Sequence, residues 1–186
     1  MLTESLLPVM LETDRPRCVN VISSAFKLTK GEPLIDLQSE RTYAPLQVVA
    51  RAKLLALVWT VALAHRHPGR LSAVAVNPGT AWTPGTQALT RDAIPAWRYI
   101  WPIVRFFQRR ADPDRGGAAC EAVAVAPASV IAHRYFDGRK AHPFPDRVLD
   151  PELREAVLEV GKQFMDGLEG PTAQDDWRER SSWNSA

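Results

Sequence analysis

The sequence is short of three things: charge of one sign, cysteine and long hydrophobic runs. Each shortage excludes a class of protein. Lysine and arginine number 23 against 21 acidic residues, a net charge of +2 over 186 residues. So weak a field gives no electrostatic footprint for nucleic acid. Two cysteines, Cys18 and Cys120, cannot build a disulfide framework and lack metal-ligand spacing, so a reducing compartment is expected. The longest uncharged apolar stretch, Leu54 to Ala64, falls far short of the ~20 residues that span a bilayer, and it reads as a core helix. The opening MLTESLLPVM carries Glu4 early and no basic region, so no secretory signal is expected and the protein reads as cytoplasmic. Histidine is scarce as well. His65 and His67, two apart at a helix end, point in different directions, and no metal site is expected.

What is present is a globular composition, 46% hydrophobic and 24% charged, sized for one domain. Fifteen prolines against ten glycines point to long, shaped loops. Leu2 to Leu11 reads as the tail of a helix that Pro8 kinks or ends. RCVNVISSAF (17–26) reads as a short buried strand that delivers Ser23 and Ser24 to its carboxyl end. A loop follows over 27–43. From Pro45 to about His67 the apolar residues Leu46, Ala50, Leu54, Leu57, Val58 and Val61 recur at three and four, which predicts an amphipathic helix stopped by Pro68 and Gly69. LSAVAVNPG (71–79) is a second short strand, completing a strand, helix, strand unit of the kind that builds parallel sheets.

Beyond Gly79 comes a proline-rich loop, then an aromatic stretch from Ile94 to Phe107 that holds Trp97, Tyr99, Trp101, Phe106 and Phe107. Arg98, Arg105, Arg109 and Arg110 alternate with those rings, a pattern that suits core packing first and a membrane surface second. A helix is expected over Ala118 to Val125, a third strand over 129–136, and a last helix over Asp150 to Leu168. Asp150 caps that helix, and Leu153, Val157, Val160 and Phe164 form its buried stripe. From Gly170 the chain is polar and expected to fray. Alternating strands and helices argue for an open α/β sheet, which binds ligands at the carboxyl ends of its strands.

On these segments the chain resembles the short-chain dehydrogenases/reductases, in particular the retinol-dehydrogenase-like branch, over residues 2 to about 168. RCVNVISSA is similar to the branch's strand ending in a serine pair, and LQSERTY (37–43) to the segment before the catalytic helix. AKLLALVWTVALAHR (52–66) resembles the helix that carries the catalytic lysine, VAVNPGTAWT (74–83) the Pro-Gly strand end, and RYFDGRKAHPFP the branch's last strand. The resemblance implies a partial, Rossmann-like, doubly wound parallel sheet over 1–168, with 169–186 as a polar tail. It implies an oxidoreductase using NAD or NADP on a lipophilic alcohol or carbonyl. Ser23 would polarise the substrate oxygen and Lys53 hold the ribose. Pro78, Gly79 and Thr83 would contact the nicotinamide.

Two departures weigh against turnover. The family's proton donor is a tyrosine four residues before the lysine, and here that position is Val49. Tyr43 lies ten residues before Lys53, roughly 15 Å along a continuous helix, too far to substitute. Hydride transfer at carbon needs a matching proton transfer at oxygen, and losing the general acid costs about 100-fold or more. The second departure is the absence of any G-x-G-x-x-G string to cradle a pyrophosphate. The amino-terminal nucleotide-binding half, with the first four strands, is thus expected to be missing, and the serine strand to form an exposed edge. Poor solubility alone is expected, or association with a partner that supplies the missing layer, including a second copy through the first two helices. A noncatalytic relic or partner-binding piece of the fold is the alternative.

Overall fold

Two apolar runs joined by a long helix build the centre of the sheet. Strand β1 (Arg17–Val21) lies parallel to β2 (Ser72–Asn77), with Cys18 opposite Ala73 and Val21 opposite Val76. The connection between them is helix α2 (Pro45–Arg66), the crossover a parallel pair requires. β2 pairs in parallel with β3 (Arg134–Asp137), which turns back into antiparallel β4 (Lys140–Pro143), so the order is β1-β2-β3-β4. This computed structural model describes residues 2–88, 99–132 and 134–168. The remaining helices are α1 (Leu2–Met10), α3 (Pro84–Gln87), α4 (Trp101–Arg109), α5 (Pro113–Val125), α6 (Ala128–Ile131), α7 (Asp146–Leu149) and α8 (Pro151–Leu168).

Side-chain alternation along β2 decides the layering. Ala73 and Ala75 face α2, while Val74 and Val76 face the other way, onto Val123 of α5 and Ile131 of α6. Both faces of β2 are therefore covered, giving a mixed α/β architecture with a mostly parallel sheet. Helix α2 is the keystone: Leu57, Val58 and Val61 are buried among Ala75, Tyr135, Val148 and Val157. Its length and apolar composition would also allow a bilayer crossing, but here its apolar residues form the core under the sheet. Pro45 stands in its first turn and Gly69, at φ +71, lies just beyond its end.

Several elements differ from the sequence expectation. β1 stops at Val21, and Ser24–Leu28 wind into a 3-10 turn rather than extending the strand. β1 is an edge of the sheet, as expected for the serine strand, and with Val21 51% exposed it is not the buried strand its β-branched residues suggested. The strand expected over 129–136 is corrected: Ala128–Ile131 form a helical turn after Pro127, and extension begins at Arg134. Ile131 fills the hydrophobic cluster under β2 as a helical side chain, leaving Tyr135 and Phe136 to pair with Ala75 and Val76. β4 was not anticipated, although Asp137-Gly138 is a hairpin signal and Gly138 takes φ +59. α5 starts at Pro113, five residues early, because Asp112 accepts a bond from the Asp114 N–H at 2.9 Å.

In α8, Asp150 accepts from the Glu152 N–H at 3.0 Å as expected, and Val157 is buried, but Phe164 is exposed. α1 keeps Pro8 inside and ends two residues later. Among the described residues, the aromatic stretch is helical over α4. There Ile103, Phe106 and Phe107 are exposed, so plain core packing does not describe them. Trp97, Arg98 and the tail 169–186 lie outside the described residues.

Candidate functional site

Of the residues singled out from sequence, Ser23 and Ser24 follow the carboxyl end of β1, and Pro78, Gly79 and Thr83 follow that of β2. At β1 the anchor is a polar pair beneath the strand. Asn20 Nδ2 donates to Thr60 Oγ1 at 2.8 Å, and Thr60 Oγ1 donates to the Ala56 carbonyl at 2.7 Å, which ties β1 to α2. Two turns back along α2, Lys53 extends its ammonium to the Val21 carbonyl at 3.3 Å. That bond puts a cation at the end of β1, two residues from Ser23. Ser23 itself is extended and caps the 3-10 turn, its Oγ accepting from the Ala25 N–H at 3.2 Å. Its hydroxyl proton is not used by that bond. Ser24, its neighbour, is exposed.

Val49, one helical turn before Lys53, is 48% exposed and offers no proton. Tyr43 precedes the helix cap at Ala44 and is 72% exposed, so it is neither on the helix nor aligned with Lys53.

The end of β2 is built around Asn77, the first residue of the Asn-Pro-Gly string. Its buried side chain donates to Asp137 Oδ1 at 2.8 Å and accepts from the Gly79 N–H at 3.2 Å. Its carbonyl accepts from Gly138 N–H at 2.8 Å. One asparagine thus fastens the β2 turn to the β3–β4 hairpin, and the Asn-Pro-Gly string was the signal for it. Gly79 takes φ +86, a conformation that favours glycine, and no atom stands within 4 Å of where its Cβ would be. Pro78 is held from the far side by α5, where a Cβ on Gly116 would meet Pro78 Cβ at 3.4 Å. Thr83 lies four residues beyond Gly79 and serves α3: it accepts from Thr86 N–H at 3.4 Å, and its own N–H donates to Thr86 Oγ1 at 2.8 Å.

No model of a known protein family and no curated protein matches this chain.

α4 docks beside this end of the sheet through Arg105, which donates to the Thr86 carbonyl at 3.0 Å. Its guanidinium stands 4.7 Å from the Trp82 ring and 5.6 Å from Trp101. The loop before α2 is organised by Asp36, at φ +55, whose carboxylate accepts N–H bonds from Glu40, Arg41 and Thr42. Desolvation works to raise the Asp36 pKa, but the bonds from Arg41, Thr42 and Glu40 and the nearby Arg51 charge outweigh it, so the carboxyl titrates below its ordinary value. Burial pushes the Cys18 thiol up, opposed in part by a bond to Thr3. Among the described residues no group of three or more His, Cys, Asp or Glu could hold a metal ion.

For the nicotinamide end of a dinucleotide, Lys53, Pro78, Gly79 and Thr83 would offer a cation, an open glycine edge and a hydroxyl. The turn after each parallel strand carries at most one glycine within three residues, so none forms the run of free N–H groups that a pyrophosphate needs. Two clefts among the described residues, of about 460 and 700 Å³, lie away from the strand carboxyl ends.

Proposed function

We propose that the chain carries the serine and lysine end of a short-chain dehydrogenase/reductase-like oxidoreductase site. Such a site works with NAD or NADP on a lipophilic alcohol or carbonyl, and it does not turn over efficiently in this chain. The observation that carries the reading is the 3.3 Å bond from Lys53 Nζ to the Val21 carbonyl, which brings the ammonium to the strand end that presents Ser23. Ser23 retains a hydroxyl proton to polarise a substrate oxygen, and the Lys53 cation would stabilise an alkoxide. Val49 stands where a proton donor is needed, and the missing glycine run leaves a cofactor's pyrophosphate without a cradle. The exposed apolar side of α4, with Arg109 and Arg110 and no acidic residue between 99 and 111, supports a lipophilic ligand and contact with a membrane surface. The test is reduction of a long-chain aldehyde with NADH or NADPH by the chain and by Val49→Tyr. The variant should gain activity by about 100-fold if the phenol supplies general acid catalysis. No gain, with NADPH still quenched on binding, would remove Val49 from the proton-donor position.

The second reading, a noncatalytic partner-binding piece, is favoured by the open edge of β1 and by Leu2, Leu6 and Val9, which leave α1 with an exposed apolar stripe. Light scattering after size exclusion checks it: a dimer or larger particle through α1 and α2 agrees, and a monodisperse, cooperatively unfolding monomer does not.

A further inference from the structure

We propose that the cleft at the amino ends of the parallel strands is a binding site for a small amphipathic anion, namely an aliphatic carboxylate. This cleft lies at the opposite end of the sheet from Ser23, Lys53 and Gly79, and its assignment does not depend on theirs. It opens where the residues before β1, the start of β2, the end of α2 and the end of β4 converge, and its volume is about 700 Å³. That falls within the ~300–1,000 Å³ usual for small-molecule sites. Its floor is apolar and drawn from the core: Val61, Leu71, Ile131 and Phe144 line it, and each is buried in the fold.

Among the described residues the charged groups that line this cleft, Arg15 and Arg70, are both cationic, and no aspartate or glutamate lines it; His65 lines it as well. Neither Arg15 nor Arg70 is paired with a carboxylate among the described residues. Arg15 also holds a left-handed backbone at φ +57, a conformation that non-glycine residues adopt at a cost. The chain as a whole is nearly neutral, so this is a local arrangement. The smaller cleft between α1, α2 and α8 shows the contrast, since Glu4, Glu155, Glu159 and Asp166 outnumber Arg66 and Lys162 there. An apolar body would lie on the core floor with its single negative charge toward the two guanidinium groups, which bind carboxylates through paired N–H bonds.

Calorimetric titration of the chain with decanoate, held below its micelle concentration, tests this against decyltrimethylammonium as the cationic counterpart. Decanoate should bind one to one, and the ammonium about tenfold or more weaker. Arg15 and Arg70 are exposed, so Arg15→Ala/Arg70→Ala should fold as the parent does and bind decanoate about tenfold or more weakly. Ala64→Trp, which fills the cleft, should abolish binding. Absence of decanoate binding, equal binding of the two amphiphiles, or an unchanged affinity in the double arginine variant would each overturn the assignment.

Discussion

Replacing Thr60 with valine tests the idea that a buried polar pair fixes β1 against α2. Thr60 is 0% exposed, and its hydroxyl both donates to the Ala56 carbonyl and accepts the Asn20 amide at 2.8 Å. Valine keeps the volume and the branching, so no cavity forms, and the Ala56 carbonyl keeps its place in the helix. The damage falls on Asn20, whose N–H is left facing a methyl group in a partly buried position. An orphaned donor of this kind costs about 1–3 kcal/mol. At about 2–4 °C per kcal/mol for a chain of this size, a loss near 2 kcal/mol lowers Tm by about 4–8 °C. Thermal unfolding followed by circular dichroism reads this directly, with Thr60→Ser as the control that retains the hydroxyl. The double variant Asn20→Val/Thr60→Val removes both polar partners, so it should recover much of the loss. A Thr60→Val protein melting within about 1 °C of the parent, or strictly additive single effects, would refute the reasoning.

Three further outcomes follow from the same structure. Arg17 donates to the Val123 and Ala124 carbonyls at the end of α5, so Arg17→Ala should cost about 1–2 kcal/mol in urea unfolding, from the lost bonds and the unmet helix dipole. Because the Asp36 carboxyl titrates below its ordinary value in the fold, its contribution is complete above pH 3.8. It is lost as pH falls through the lower folded value, and amide exchange of Glu40, Arg41 and Thr42 should then accelerate. Asp36→Asn should show fast exchange at those amides already at neutral pH. On α4, Phe106→Ser/Phe107→Ser should remove cosedimentation with phosphatidylserine vesicles while leaving Tm within about 1 °C, since both rings are exposed.

The parallel β-α-β centre was legible because its signals are local. The three-and-four spacing from Ala50 to Val61 fixes one buried helix face, and Pro68-Gly69 marks its end. The later elements were less legible for equally physical reasons. A run such as Ser-Val-Ile-Ala satisfies strand and helix propensity alike, and only the register of Tyr135 on Ala75 and Phe136 on Val76 selects where extension begins. The aromatic residues of α4 read as core because nothing in their spacing says which face a neighbour will cover.

Of the candidate site, Ser23, Lys53, Gly79 and Thr83 were expected from the resemblance to a dehydrogenase family, while residue chemistry alone shows that Val49 cannot move a proton. What each does in the fold was a tertiary matter. Lys53 gains its place from a carbonyl 32 residues away, and Ser23 and Thr83 spend hydrogen-bonding capacity on local caps. Asn77 matters because β3 brings Asp137 within 2.8 Å of it, 60 residues along the chain. Composition and periodicity determined which side chains could be buried and which could react. Only the packing of α2, α5 and the sheet decided which of them meet, because hydrogen bonds between distant residues exist only once the layers have closed.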